Sequence, residues 1–149
     1  MAPDILDNLE RYRARTFGFL ETVGYRLEEW GPGRAVMHLD ITAQHMNRNG
    51  VVHGGVLTAL LDASCGVCGV YCTRPGNIRR SVTISLTTSF VNSVTDGHIR
   101  TEARMVSRGR KIYFAEAHAF DGNGVLIATA SGTFRYIAGG ENEEGVPDD

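Results

Sequence analysis

The sequence predicts an α+β fold in which one long apolar helix packs against a single antiparallel sheet. Residues 54–72 read GGVLTALLDASCGVCGVYC, a nearly uncharged stretch long enough for a buried helix. After residue 80 the chain alternates between apolar and polar types in segments separated by turn signals, as antiparallel strands do. One such helix with five or six strands is an α+β arrangement. A helix that is apolar on all sides must be covered on most of them, so we expect a curved sheet on one side and a second chain on the other.

Two elements precede this helix. Residues 4–21 carry apolar side chains at roughly helical spacing with charges between them, which predicts a short amphipathic helix within an N-terminal extension over 1–24. Residues 25–41 alternate on both sides of Gly31-Pro32-Gly33, which predicts a first pair of strands joined by a turn. The central helix is expected to begin near residue 54 and to end before Arg74-Pro75-Gly76.

Strands dominate the rest of the chain. The alternating segments are 81–94, 98–107, 111–121 and 125–137, and the Asp-Gly-Asn-Gly sequence between the last two is a strong hairpin signal. The folded domain is therefore expected to span 25–138. The remaining residues, 139–149, read GGENEEGVPDD, and this glycine-rich, acidic composition predicts a disordered tail.

Charge and composition restrict the classes of function. Five of the 17 acidic residues lie in 139–149, so residues 1–138 hold 15 basic and 12 acidic residues. A mildly basic domain without a basic cluster favours a small anionic ligand over nucleic acid. The chain begins without an apolar signal segment. The acidic residue within 54–73, Asp62, is unfavourable in a membrane span. The three cysteines suit a reducing compartment. We expect a cytoplasmic protein with no membrane partner.

Asp62 is the only charged residue between Gly54 and Thr73. A carboxylate in an apolar helix costs several kcal/mol unless another group pairs with it or the protein uses it. The helix begins at Gly54-Gly55, where unpaired N–H groups and the positive end of the helix dipole can bind an oxyanion. A carboxylate and an oxyanion hole on one helix predict a catalytic site.

The spacing of these two features has a geometric consequence. Asp62 lies eight residues after Gly54, which places the two Cα atoms about 12 Å apart at a rise of about 1.5 Å per residue. An attacking group must lie within roughly 3–3.5 Å of the carbon whose oxygen occupies the oxyanion hole. If both features serve one reaction, they must come from two copies of the helix, packed antiparallel in a dimer.

The motif Asn47-x-x-Gly50-x-x-His53-Gly54-Gly55, with Asp62 nine residues after the histidine, resembles that of the PaaI-like acyl-CoA thioesterases of the hotdog-fold superfamily. The segments Ser81-Val82-Thr83-Ile84 and Arg108-Gly109-Arg110-Lys111 are also similar, and the resemblance covers about residues 25–137. It implies a hotdog fold, in which a single curved antiparallel sheet wraps a long central helix. It also implies composite active sites between two subunits, in homodimers that usually pair into tetramers.

The resemblance implies a role for each matching residue. Asp62 acts as general base or nucleophile toward the thioester carbon, and the Gly54 N–H of the other subunit polarises the thioester carbonyl. Asn47 and His53 orient the thioester or the water. No cofactor or metal is implied, because coenzyme A is part of the substrate and thiolate is a good leaving group.

Ser81, on the strand that follows the helix, is expected to hold the attacking water, with Thr83 as the fallback. Structural roles stay open beside these catalytic ones: Asn47 can hold its own loop through hydrogen bonds to the backbone, and Ser81 can be an ordinary strand residue. Candidates for lining the acyl pocket, with core packing equally open, are Met46, Tyr71 and Phe90.

Basic residues near the strand ends are candidates for binding the phosphates of coenzyme A, since guanidinium groups suit phosphate. They are Arg79, Arg80, Arg108, Arg110 and Lys111, and solvated surface charge is an open alternative for all of them. Cys65, Cys68 and Cys72 share one helical face without a fourth ligand, so we expect core packing and no metal site.

Two other functions occur on such a fold. A non-catalytic acyl-CoA-binding or regulatory module is usually fused to a DNA-binding segment, for which an N-terminal extension of about 24 residues is too short. A hydroxyacyl-thioester dehydratase needs a histidine paired with a carboxylate in a different pattern. We therefore expect acyl-CoA thioester hydrolysis, with the binding module as the alternative.

Overall fold

The computed structural model describes residues 5–15 and 17–148. Two short helices, α1 (Ile5–Ala14) and α2 (Gly18–Val23), begin the described chain, where the sequence predicted one helix over 4–21. Residues 4 and 16, which belong to that prediction, lie outside the described residues. The N-terminal extension is therefore helical in two separate pieces.

A six-stranded antiparallel sheet and one long helix form the body of the protein. The helix is α3 (Gly54–Cys68). The strands are β1 (Arg26–Gly31), β2 (Arg34–Asp40), β3 (Asn77–Ile78), β4 (Arg80–Phe90), β5 (His98–Arg108), β6 (Ile112–Asp121), β7 (Leu126–Ile137) and β8 (Val146–Pro147). The large sheet has the order β1-β2-β5-β6-β7-β4, and β3 pairs with β8 in a separate ladder. The predicted α+β hotdog architecture, an antiparallel sheet packed on a central helix, is confirmed.

Helix α3 ends at Cys68, four residues before the predicted end at residue 72. Its last turn tightens, because Gly69 N donates to Gly66 O at 3.4 Å and Val70 N donates to Val67 O at 3.2 Å. Three aromatic side chains from the sheet donate to carbonyl groups at this end, at 2.7–2.9 Å. They are Tyr113 to Gly66, Trp30 to Val67 and Tyr136 to Gly69. The sheet therefore satisfies the carbonyl groups that a helix C-terminus leaves unpaired.

The core lies between α3 and the inner face of the sheet. Leu57, Leu60 and Leu61 of the helix are buried there. Small side chains on the facing strand β6, Ala115, Ala117 and Ala119, leave room for the helix to approach closely. The described part of the chain contains no helix with the length and apolarity needed to cross a membrane.

One side of α3 and one edge of the sheet have no cover in the described chain. Positions Gly55, Ala59, Asp62 and Gly66 recur at helical spacing and are all partly or fully exposed, so they form an open stripe of mostly small residues along α3. Strand β4 is the last strand of the sheet and pairs only with β7, which leaves its outer edge unpaired. The helix that the sequence predicts to be apolar all round is thus covered on one side only.

The C-terminal segment differs from the disordered tail predicted for 139–149. Residues 139–148 fold back across one end of the sheet, and Ile78 of β3 pairs with Val146 of β8. Thr73 N donates to Glu143 O at 3.0 Å, and the Asn77 side chain donates to Glu144 O at 2.9 Å. Composition predicts disorder because acidic residues bury little apolar surface, but here basic side chains and backbone groups hold the segment in place.

The three cysteines lie free and buried in the core. Burial raises the pKa of the Cys68 thiol to about 12. Burial, and to a smaller extent the neighbouring Cys68, also raises the pKa of Cys65 well above its usual range. Both thiols are therefore protonated at neutral pH and pack as apolar side chains, as their spacing predicted.

Replacing Gly69 should destabilise the protein. A Cβ at this position would overlap the ring of Tyr113, which is fully buried and held by hydrogen bonds to Ser81 and Gly66. We expect Gly69→Ala to lower the free energy of unfolding by about 1–3 kcal/mol, measured by urea denaturation. Gly18→Ala is the control, because a Cβ there meets no atom within 4 Å. Equal midpoints for the two variants would contradict this account of the helix end.

The buried thiols should make stability fall at alkaline pH. In the unfolded chain Cys65 and Cys68 ionise near pH 8.5, whereas their raised pKa values keep them protonated in the folded chain. The unfolded state then releases protons that the folded state retains, so raising the pH favours unfolding. Between pH 7.5 and 9.5 we expect the free energy of unfolding to fall by about 3 kcal/mol, measured by urea denaturation. The double variant Cys65→Ala/Cys68→Ala should lose less; an equal loss would contradict the assignment.

Candidate active site

The loop before α3 is organised by Asn47. Its side-chain oxygen accepts hydrogen bonds from Asn49 N at 2.8 Å and Val51 N at 3.3 Å. Gly50 has a φ of 72°, a left-handed conformation that glycine adopts without strain, and its N–H donates to Asn47 O at 3.1 Å. The Asn-x-x-Gly part of the motif therefore closes a tight loop. This is the structural role left open for Asn47, and its side-chain oxygen is occupied by the loop itself.

A second histidine, which sequence reasoning missed, anchors the same loop. His45 is buried, its Nδ1 accepts from Thr42 N at 2.9 Å, and its Nε2 lies 2.6 Å from Val23 O, to which it donates. Its backbone oxygen accepts from His53 N at 2.8 Å. The one signal in the sequence is Thr42 three residues earlier, which forms a capping box with His45. His45 thereby fixes the backbone from which α3 begins.

His53 is the N-cap of α3. Its Nδ1 accepts a hydrogen bond from Gly55 N at 2.7 Å, so the neutral ring carries its proton on Nε2. The side chain is exposed, which leaves that Nε2–H free to donate to a ligand. The N–H of Gly54 finds no acceptor among the described residues. Two donors, one from a side chain and one from the backbone, are thus available at the start of the helix.

Gly54 lies on the wall of a cavity of about 300 Å³. The ring of Phe90 packs directly against it, 3.3 Å from where a Cβ of residue 54 would be. The other walls are mainly apolar and include Val52, Leu57 and Val94. A carbonyl bound at the Gly54 N–H would have an apolar space beside it for an acyl group.

Of the three candidate pocket liners, only Phe90 lies at this cavity. Tyr71 packs at the opposite end of α3, where its ring meets Trp30 edge to face at 5.3 Å. Met46 packs against the core instead. The position of Phe90 at the end of β4 brings it to the helix start, whereas Tyr71 follows the helix end.

Asp62 is half-buried and accepts a hydrogen bond at Oδ1 from the hydroxyl of Thr83, at 2.8 Å. Burial raises the pKa of the Tyr25 phenol, and the negative charge of the nearby Asp62 raises it further. Ser81 is engaged elsewhere, with its hydroxyl 2.8 Å from the hydroxyl of Tyr113. The structure therefore pairs Asp62 with Thr83, the fallback, and places Ser81 against a core tyrosine.

The register of β4 explains this difference. Ser81 lies opposite Tyr136 and Thr83 opposite Phe134 on β7, so both point to the inner face of the sheet. Ser81 is nearer the C-terminal end of α3, where the hydroxyl of Tyr113 also donates to Gly66 O. Thr83 is two residues further along β4 and meets the middle of the helix. Two inward positions on one strand thus reach different turns of α3.

Within one chain the predicted catalytic residues form two separate groups. Asn47, His53 and Gly54 lie at the start of α3, and Asp62 lies two turns later with Thr83. Every residue from Gly54 to Asp62 is helical, so the separation of these two residues stays near 12 Å. One chain alone does not bring the carboxylate to the free N–H group.

The predicted phosphate-binding residues lie together at one end of the sheet, but most of them already have partners. Arg79 donates to Tyr71 O at 2.9 Å and to Gly140 O at 2.8 Å. The guanidinium groups of Arg79 and Arg108 lie 4.9 and 5.0 Å from the centre of the Tyr136 ring. The Arg79 side chain is therefore already bonded to backbone carbonyl groups of its own chain.

Acidic residues of the C-terminal segment pair with three of the others. Arg108 lies 3.3 Å from Glu143, Lys111 lies 4.0 Å from Glu141, and Arg80 lies 3.6 Å from Asp148. Arg110 is exposed, and no ion pair or hydrogen bond of its side chain occurs in the described part of the chain. The folded tail, which composition did not predict, thus neutralises much of this basic surface.

Solved structures share the architecture. The thioesterase HI1161 of Haemophilus influenzae is 20% identical with a TM-score of 0.78, over 87% of this chain and 90% of that one. The PaaI protein of E. coli, from the phenylacetic acid degradation operon, is 18% identical with a TM-score of 0.76, over 97% of this chain and 96% of that one. At these identities the likeness shows the shared fold.

Sequence comparison gives the family. The Pseudomonas aeruginosa protein named "Putative esterase PA0474" is 31% identical over 100 residues, which cover 66% of this chain and 72% of that protein. The model of the Thioesterase superfamily matches residues 49–128, which include the helix start, Asp62 and Thr83. This match spans more than half of the chain, and the protein therefore belongs to the thioesterase superfamily with the hotdog fold.

Proposed function

We propose that this protein hydrolyses acyl-CoA thioesters to the free acid and coenzyme A, in a site shared between two copies of the chain. The observation that carries the proposal is the contact between Asp62 and Thr83 on the open stripe of α3. A carboxylate held by a hydroxyl on a surface of small residues is available to a group from another subunit. In an isolated chain it has no reaction partner.

The unpaired edge of β4 supports the dimer. Its residues Val82 and Ile84 are 44% and 55% exposed, and no other described strand satisfies its outer backbone groups. Pairing β4 with β4 of a second chain satisfies those groups and extends the sheet. The two α3 helices then lie side by side, and antiparallel packing brings each Asp62 toward the Gly54 of the other chain. Tetramers would form from two such dimers.

The proposed chemistry uses groups that each have a defined place. The thioester oxygen accepts a hydrogen bond from the Gly54 N–H, and the exposed Nε2–H of His53 is the second donor. Asp62 of the partner either takes a proton from water as the oxygen–carbon bond forms or attacks the carbon itself. In the first case the carbon–sulfur bond then breaks to release the free acid, and the coenzyme A thiolate takes a proton from the carboxyl group or from solvent. In the second case the carbon–sulfur bond breaks to leave a mixed anhydride with Asp62, which water then hydrolyses to the free acid and the Asp62 carboxylate. Asn47 contributes by holding the loop.

We infer that the coenzyme A nucleotide, if it contacts the basic end of the sheet, meets Arg110 and Lys111 first. Arg110 has no described partner, and the ion pair of Lys111 is long, at 4.0 Å. Arg80 and Arg108 would have to exchange tail carboxylates for phosphates, and Arg79 would have to leave backbone carbonyls. Arg110 and Lys111 therefore lose the fewest existing contacts when they bind phosphate.

Complementation between inactive subunits tests the shared site. Asp62→Asn should lower kcat at least about 100-fold. Gly54→Pro, which removes the N–H and adds a ring at a helix position that tolerates proline, should do the same, whereas Gly54→Ala adds a Cβ and retains the N–H. Unfolding and refolding the two inactive variants together in equal amounts should restore about a quarter of wild-type activity, because half of the dimers are mixed and each has one intact site.

The readout is release of free coenzyme A from a panel of acyl-CoA thioesters. If both groups act within one subunit, the mixture stays inactive, and that result would contradict the shared site. Absence of wild-type hydrolysis of every thioester, with retained binding, would favour the non-catalytic acyl-CoA-binding module. Gly54→Ala serves as the matched control for crowding against Phe90.

Thr83 should matter more than Ser81 for turnover. Thr83→Val keeps the shape of the side chain and removes the hydroxyl that donates to Asp62, so we expect kcat to fall about tenfold. Ser81→Ala removes a hydroxyl that contacts Tyr113 and should change kcat less. Initial rates at saturating acyl-CoA give both values. A larger loss for Ser81→Ala would show that the pairing of Thr83 with Asp62 is not the functional one.

A further inference from the structure

A second cavity, of about 320 Å³, lies between α1 with the residues just after it, the start of β4 and the C-terminal segment. Val70 and Cys72 on its wall follow the C-terminal end of α3, whereas Gly54 begins that helix. Since a helix of 15 residues is about 22 Å long, this cavity is separate from the one beside Gly54. Its volume is at the lower end of the range of about 300–1,000 Å³ for small-molecule sites, which suits a small organic molecule.

The walls of this cavity include several apolar side chains. Tyr12 and Trp30 meet edge to face with ring centroids 5.3 Å apart, and Val70 and Ile78 line the cavity beside them. Phe17 also lines it and is 53% exposed, an unusual position for a phenylalanine without a partner surface. These residues offer an aliphatic or aromatic ligand a place to bury its apolar surface.

Charged groups line the same space. The carboxylate of Asp148 is largely buried, with a side chain 11% exposed, and contacts both Arg15 and Arg80, the latter at 3.6 Å. Arg79 also lines the cavity, and its Nη2 atom is buried without a hydrogen-bond partner among the described residues. One carboxylate thus pairs with two guanidinium groups, and the guanidinium groups of Arg11 and Arg79 line the same cavity. Such a group of arginines next to an apolar wall matches the two halves of an amphipathic anion.

The Asp148 side chain shows that a carboxylate fits between Arg15 and Arg80, and a carboxylate from a ligand can compete with it for this position. Asp148 belongs to the C-terminal segment, whose strand pairing is limited to the two residues of β8. The other contacts of the segment, at Glu141, Glu143 and Glu144, lie before β8, so releasing Asp148 requires only this short pairing to open. A free carboxylate could therefore take the place of Asp148 without disturbing the core.

We propose that this cavity is a binding site for a small carboxylic acid with an apolar body. Its carboxylate binds between Arg15 and Arg80 in place of Asp148, and its apolar part lies against Tyr12, Trp30 and Val70. Asp148 is then an internal competitor that weakens binding. This proposal is independent of the proposed hydrolysis, because it uses neither Asp62 nor Gly54.

Titration of the full chain with octanoate tests the proposal through fluorescence. Trp30 is the single tryptophan of the sequence and lines the cavity, so its emission reports binding there and not beside Gly54. We expect a saturable change for the wild type and a Kd about tenfold lower for Asp148→Asn, which removes the competing charge. Asp96→Asn, in an exposed loop, is the matched control and should bind like the wild type.

Two further measurements separate this site from general adsorption. Arg15→Gln should raise the Kd for octanoate, and octan-1-ol, which has the same chain without the carboxylate, should bind more weakly than octanoate. The proposal is overturned if neither the wild type nor Asp148→Asn shows a saturable change. It is equally overturned if Asp148→Asn and Asp96→Asn bind with the same Kd, or if octan-1-ol binds as tightly as octanoate.

Discussion

The burial of α3 against a single sheet is the constraint on which the rest of the structure depends. Alanines on β6 allow close approach, and three aromatic donors fix the axial position of the helix by binding its last carbonyl groups. With that end fixed, the other end is fixed too, since a helix is rigid over 15 residues. The positions of Gly54 and Asp62 relative to the sheet are therefore set by contacts far from either residue.

Most of the fold could be predicted from the sequence because its signals are local. Turn residues at Gly31-Pro32-Gly33 and Asp121–Gly124 fix two hairpins, and alternation fixes the strands they join. The end of α3 could not be predicted this way. Apolar residues continue to Cys72, but the helix ends before Gly69, because side chains distant in sequence donate hydrogen bonds to the last carbonyl groups of the helix.

The candidate site was predictable where the motif determines local geometry, at Asn47, His53 and Gly54. It was less predictable where two elements meet. Which of Ser81 and Thr83 reaches Asp62 depends on the register of β4 against β7 and on the position of the helix, which alternation alone does not give. The acidic partners of the basic residues were not predictable for a related reason: they come from a segment whose composition predicts disorder.

The order of the strands also limits how this chain can fold. Strand β4 ends at Phe90, yet its one neighbour in the sheet, β7, begins at Leu126 and ends at Ile137. During synthesis β4 therefore has no strand partner until β7 has been made, after β5 and β6. Until then both of its edges are open to pairing with other chains. Of the strands in the large sheet, the one proposed to join two subunits is thus the one that waits longest during synthesis for a first partner.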